Sequence, residues 1–198
     1  QATKHHFHRF ARSLGYLDWA AQPKPFRHFA GAATIPLFPR PEAEPFTSRI
    51  GALLRYALGL SAWKSFRDAR WALRVNPSSG NLHPTEAYVV TRGRVWHYAP
   101  DVHALEERCR FDQEAWTGLF GADVDGSQSC LIVLTSIAWR EAWKYGERAF
   151  RYCQHDTGHA IAALSISAGF LGWRCRLADA WTHAQLAALT GVERSADF

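Results

Sequence analysis

Three stretches of this 198-residue chain carry side chains whose types and spacing suit chemistry. The first is the loop Pro77-Ser78-Ser79-Gly80-Asn81-Leu82-His83-Pro84. It offers two hydroxyls, a flexible glycine and an amide that both donates and accepts. That set matches a planar ring edge with alternating N–H and C=O groups, such as a flavin's pyrimidine ring. Gly80 also permits close approach of backbone to a ligand. An ordinary turn with an Asx cap uses the same residues and stays open as the rival.

The second stretch runs from Arg140 to Tyr152 and contains Lys144 beside Tyr145. Lys is scarce here, four against nineteen Arg. A half-desolvated ammonium or phenol at such a place can act as general acid/base or steady a developing anion. The rival is a charged first helical turn laced by Glu147–Arg151 at i,i+4. The third stretch is His155-Asp156-Thr157-Gly158-His159, two histidines at i,i+4 with an acid between them, as in metalloprotease helices. Gly158 inside the motif, the short Asp and the lack of a third ligand at a fixed offset favour a core pair, with His159 bonded to Asp156 or a carbonyl.

The surrounding pattern says what positions these groups. Residues 1–48 read as an extended arm, rich in proline (Pro23, Pro25, Pro36, Pro39, Pro41, Pro45) after a basic-aromatic start that can be helical through about Leu14. Its apolar residues, Trp19, Phe26, Phe29, Ile35, Leu37 and Phe38, call for burial. Residues 49–198 read as one domain. Ile50, Leu53, Leu54 and Ala57 predict a helix over 49–58, capped by Thr47 or Ser48 and stopped at Gly59. A short helix or turn is expected over 70–74, and a hairpin of strands 86–91 and 95–98 turns at Arg92-Gly93. The apolar, β-branched run 130–137 predicts a strand covered on both faces. A long helix over 145–170, apolar nearly all round in its second half, is expected to run through the middle of the domain. A short strand at 173–177 and a helix at 182–189 closed by Gly191 complete an α+β architecture, a small sheet with helices packed around it.

Composition narrows the class. At 47% hydrophobic and 21% charged the chain suits one globular domain and excludes disorder, collagen-like repeats and coiled coil. The stretch Ala160–Trp173 falls short of the roughly 20 apolar residues that span a bilayer. The charge of +5 comes from scattered Arg, with neither a basic stripe nor interleaved stacking aromatics for nucleic acid. Cys109, Cys130, Cys153 and Cys175 form no Cys-x-x-Cys pair, which argues against a redox dithiol or zinc ribbon. No signal-like segment opens the chain, so reduced cysteines in a cytoplasmic protein are expected. The chain holds no Met and is read as part of a longer polypeptide.

In sequence, residues 50–191 resemble the nitroreductase superfamily, specifically its SagB/ThcOx-type branch of FMN-dependent dehydrogenases. The likeness rests on three stretches: Leu73 to Val90 around Pro77-Ser78-Ser79-Gly80-Asn81; Trp96 to Glu106; and Trp143-Lys144-Tyr145 through Arg148, Arg151 and Gly158-His159 to Leu171-Gly172-Trp173. The resemblance implies a nitroreductase-like α+β fold, with a mostly antiparallel sheet flanked by helices around a long central helix. It also implies FMN in the cleft of a homodimer, or of a pairing with a second nitroreductase-like half. Arg74, Pro77, Ser78, Ser79 and Asn81 match the loop that lies along the flavin. Lys144 and Tyr145 match the pair this branch uses near the flavin when it oxidises azolines to azoles. The chemistry so implied is hydride transfer between flavin and a small or peptide-derived substrate, the protein supplying orientation and positive potential. The family's phosphate grip near the N-terminus is replaced by Phe38-Pro39-Arg40-Pro41-Glu42-Ala43-Glu44-Pro45, and its final basic strand is absent. A non-catalytic half serving as scaffold or peptide-binding partner is therefore the alternative.

Overall fold

The computed structural model describes His8 and residues 14–38 and 45–193. The expected helix near the N-terminus and most of the Phe38–Pro45 segment lie outside the described residues. A five-stranded antiparallel sheet has the order β1-β6-β5-β4-β7 and is built from β1 (Thr34–Pro36), β4 (Thr85–Thr91), β5 (Arg94–Ala99), β6 (Ala104–Arg110) and β7 (Leu131–Ser136). A separate hairpin pairs β2 (Leu60–Phe66) with β3 (Ala69–Arg74). The helices are α1 (Pro45–Leu58), α2 (Gln113–Phe120), α3 (Ala138–Tyr145), α4 (Ala149–Phe170) and α5 (His183–Thr190).

β4 lies between β5 and the edge strand β7 and is buried along almost its whole length. Its alternation divides the core. Ala87 and Val89 join Leu53, Leu54, Ala57, Leu105, Ala160 and Leu164 beneath α1 and α4. Tyr88 and Val90 join Val95, Trp116 and Val133, with Leu186 and Leu189 of α5 against them. α1 starts at Pro45, four residues earlier than expected, because proline's fixed φ and missing N–H suit a first helical turn. α2 is capped by Asp112, whose carboxylate accepts from the Ala115 amide, and α5 by a Thr182–Gln185 capping box.

Several expected elements differ. Residues 69–74 form a strand: the turn is at Arg67-Asp68, Arg67 taking φ 52°, and Trp71 and Leu73 alternate with the buried Ala72 and Arg74. β6 was not foreseen, since its residues are half charged; Glu106 is nonetheless buried against β5. Residues 173–177 are irregular and mostly exposed, with no strand partner. β7 is an edge strand, pairing with β4 alone, and is only partly covered. The long helix begins at Ala149, because Gly146 at φ 55° ends α3 and turns the chain before α4. The second half of α4 buries Ala160, Leu164, Ser167 and Ala168 but leaves Ile161, Ile166 and Phe170 exposed. Of the arm, Leu37 is buried and β1 joins the sheet edge, whereas Trp19 and Phe38 remain largely exposed.

Candidate active site

The loop between β3 and β4 is held in one shape by several independent bonds. Ser78 is extended, Ser79–Asn81 form a single 3-10 turn, and Gly80, Asn81 and His83 all have positive φ, 62°, 56° and 51°. Asp156, fully buried in the second turn of α4, accepts the Ser79 amide on both carboxylate oxygens at 3.1 Å and the Ser79 hydroxyl at 3.0 Å. Ser78 Oγ accepts the His83 amide at 2.8 Å. His83 lies between the loop and β3, its Nε2 donating to the Ala72 carbonyl at 3.0 Å. Burial, with Arg74 and Arg140 nearby, pushes its pKa down to about 4, so the ring is neutral at ordinary pH.

α3 brings the Lys-Tyr pair to this loop. A β-carbon on Gly80 would lie 2.6 Å from Tyr145 Oη and 3.0 Å from Lys144 Nζ, so only glycine lets those two groups close on the turn and cradle it. Both are half-buried at the C-terminal end of α3, and Lys144 has no carboxylate partner among the described residues. Burial raises the Tyr145 pKa, with Glu141, Tyr152 and Asp156 adding to the rise. Behind the pair, Glu141 is fully buried and neither of its oxygens has a hydrogen-bond partner. Burial and the Asp156 charge push its pKa up to about 8 against the pull of Lys144, leaving it protonated at neutral pH. Cys153, one turn before Asp156, is buried and its thiol is pushed up to about 11, chiefly by burial, so it is no nucleophile at neutral pH.

The structure thus brings Ser78, Ser79, Asn81, Lys144 and Tyr145 together, with Pro77 exposed at the loop's entry. Arg74 is placed elsewhere. Its guanidinium is buried and donates to the Thr85 carbonyl at 3.1 Å and the Pro25 carbonyl at 2.7 Å, tying the arm to the sheet. In place of the expected core pair, Asp156 turns to Ser79 while His155 and His159 face outward. No group of three His, Cys, Asp or Glu suited to a metal occurs among the described residues. Asp156 and Glu141 are the site residues that sequence reasoning missed. Asp156 had a signal: it falls in the helical stripe Cys153, Asp156, Ala160, Leu164, where an acid needs a partner.

A second buried charge system stands in the sheet. His97 lies between Glu86 (2.8 Å) and Glu106 (2.9 Å), and His28 of the arm bridges Glu106 and Asp101, both at 2.9 Å. Arg140 closes the row on Glu86 and also donates to the His83 carbonyl at 2.7 Å, so the loop's C-terminal flank is pinned to α3.

The sequence matches the model of the Nitroreductase family over residues 64–197. No curated protein matches it. Among solved structures, a protein of Anabaena variabilis ATCC 29413 assigned as a nitroreductase superposes with a TM-score of 0.74 at 28% identity. The match covers 89% of this chain and 39% of that one, so the chain spans well under half of that protein. The E. coli microcin synthetase McbBCD complex with truncated pro-MccB17 bound gives a TM-score of 0.58 at 19% identity, over 95% of this chain and 71% of that one. A Ralstonia eutropha JMP134 protein, also assigned as a nitroreductase, gives 0.51 at 15%, over 92% and 88%. These last two share the fold. With the family's pattern over more than half its length and the family's fold throughout, the chain belongs to the nitroreductase family, a family of oxidoreductases.

Proposed function

We propose that the chain is an FMN-dependent oxidoreductase of the SagB type, moving hydride between the flavin and a small or peptide-derived substrate. The observation that carries this reading is the meeting of two segments over sixty residues apart. The Ser78–Asn81 turn and Lys144-Tyr145, each matching a flavin-side motif of that branch, border one cradle at Gly80. The groups present fit a flavin ring. Among the described residues the side-chain amide of half-buried Asn81 makes no hydrogen bond, leaving donor and acceptor for a ring edge. The missing Cβ of Gly80 lets Tyr145 Oη and Lys144 Nζ approach the turn closely, and Lys144 supplies positive charge where reduction makes a ring anionic. Bound FMN would supply the hydride chemistry. Lys144 and Tyr145 would orient the substrate and hold or pass the proton that accompanies it, and Ser78, Ser79 and Asn81 would line the ring.

Two features bear on substrate and assembly. The fold shared with the microcin synthetase complex supports a peptide-derived substrate as the first class to test. The uncovered side of α4, with Ile166 and with Phe170 against Tyr56 of α1, supports pairing with a second copy of this fold. The alternative, a non-catalytic half acting as scaffold or peptide-binding partner, draws on the inward use of Arg74, Ser78 and Ser79, whose bonds are spent within the protein.

The experiment is a spectrum of the purified full-length protein, supplied with FMN, beside its sedimentation profile. Oxidised-flavin bands that weaken in Asn81→Ala and Ser78→Ala are expected, on a dimer that Phe170→Glu dissociates. A colourless protein that leaves added FMN free would overturn the reading, and flavin binding with turnover indifferent to Lys144→Ala would favour the scaffold alternative.

A further inference from the structure

Glu141 has no role in the reading above, yet it is the least satisfied charged group of the site. It lies one helical turn before Lys144, on the same face of α3. Its carboxyl is wholly buried with both oxygens unpartnered, whereas Asp156, its neighbour on α4, spends both of its oxygens on Ser79. The groups that face it are Lys144 and Tyr145 from α3 and Asp156 and Cys153 from α4, with Arg148 and Tyr152 acting on Tyr145 behind them. Lys144 is the one cation within this set that acts on Glu141 directly. A neutral Glu141 leaves the ammonium free to face the Gly80 cradle. An ionised one offers it a buried counter-charge with two empty acceptor oxygens, and a partly desolvated pair of that kind attracts far more strongly than a surface pair.

We propose that Glu141 is a positioning residue that competes with the bound ligand for Lys144: protonated, it leaves the ammonium to the ligand at Gly80, and ionised, it draws the ammonium back. The step is a proton exchange with solvent and a movement of Lys144, with no bond made or broken in the ligand. It deepens the flavin reading, on which its ligand arm rests, by making anion affinity at the cradle pH-dependent. The sign follows from the chemistry. Raising the pH through the Glu141 transition near 8 weakens binding.

The test begins without cofactor. The chain has only four lysines, Lys4, Lys24, Lys64 and Lys144, so reductive 13C-methylation gives a carbon spectrum simple enough to follow each. Lys144→Arg assigns its signal. That signal should step between pH 7 and 9 in the wild type and run flat in Glu141→Gln. The second arm is FMN titration by flavin fluorescence. The wild-type affinity should fall about tenfold between pH 7 and 9, the loss of one charge-assisted contact. Glu141→Gln should bind at pH 9 as the wild type does at pH 7. A flat Lys144 signal in the wild type, or a step that survives Glu141→Gln, overturns the coupling. A step in the signal with FMN affinity that ignores pH overturns the competition. FMN that binds at no pH refutes the flavin reading, and a Glu141-dependent step would then still establish the Glu141–Lys144 coupling.

Discussion

Asp156→Asn is the sharpest test of how the site is held. The native carboxylate takes two donors from Ser79, one shared between its oxygens at 3.1 Å and one at 3.0 Å. A hydrogen bond to a charged group contributes about 1.5–3 kcal/mol. Asparagine keeps the shape and one acceptor oxygen but loses the charge, and turns an NH2 toward two donors. Because Ser79 is only half-buried, water can rescue part of the loss, so the lower end applies: about 1.5 kcal/mol for Asn and about 3 kcal/mol for Ala. For a domain of this size that lowers Tm by roughly 3–6 °C and 6–12 °C respectively. The ligand effect is expected to be larger than the stability effect. Ser79 anchors a turn in which Gly80, Asn81 and His83 all sit at positive φ, and a loosened turn no longer presents Asn81 in one place. FMN affinity should fall more than tenfold in Asp156→Asn while the circular dichroism of the folded state is unchanged. Removing the Asp156 charge should also bring the Glu141 transition down from about 8, since Asp156 is one of the causes of that rise. An Asp156→Asn protein with wild-type Tm and wild-type FMN affinity would refute the argument that this carboxylate sets the loop.

Gly80→Ala should cost roughly 1–2 kcal/mol for a non-glycine residue at positive φ, and it should abolish FMN binding, because the new methyl meets Tyr145 Oη and Lys144 Nζ at 2.6 and 3.0 Å. Those atoms are the ends of movable side chains, so calorimetry should find a folded protein whose cradle is filled; retained FMN binding would refute the cradle. The arm should loosen as pH rises. Burial alone would lower the His28 and His97 pKa values, but hydrogen bonds from Glu106 with Asp101, and from Glu106 with Glu86, hold both above the ordinary histidine value. A histidine raised in the folded state stabilises fully below the unfolded value of about 6.5 and loses that contribution as pH climbs through the folded one. Limited proteolysis within residues 14–33 should therefore quicken as pH rises above about 6.5 in the wild type, and His28→Gln should be fast throughout.

Much of this fold was legible because its elements follow single-period rules. The α1 stripe Ile50, Leu53, Leu54, Ala57 and the β4–β5 hairpin about Gly93 needed only local spacing. What was missed depends on partners distant in sequence. β6 reads as half charged, and its Glu106 makes sense inside only when His97 and His28 are brought to it. The resemblance implies a cofactor-side role for Arg74; its bonds to the Pro25 and Thr85 carbonyls follow from the β2–β3 hairpin, which local spacing does not reveal. The spacing starts the long helix at about Tyr145, with Lys144 just before it, because Gly146 is tolerable within a helical pattern; only its φ of 55° separates the two helices. Asp156 drew notice for a zinc pattern its flanking histidines do not complete.

The two buried charge systems of this molecule are built on opposite principles, and the contrast locates the chemistry. In the sheet each charge is matched: Glu86 has His97 and Arg140, and Glu106 has His97 and His28. Such a row can hold the arm and the strands in register, with only Asp101 Oδ1 at its outer end left unpartnered among the described residues. Around the Ser78–Asn81 loop the matching fails. Glu141 has two empty oxygens, and the flanking Arg74, Asn76, His83 and Thr85 each leave one buried polar atom without a partner. Two non-glycine residues, Asn81 and His83, hold positive φ there as well. Unmatched buried groups and backbone strain each cost on the order of 1–3 kcal/mol. A fold under pressure for stability alone would shed them, because replacing a buried unpartnered carboxyl such as Glu141 by an apolar group removes a desolvation cost. Most of these groups gather around the β3–β4 loop, opposite a half-buried lysine and tyrosine, an arrangement suited to binding a ligand.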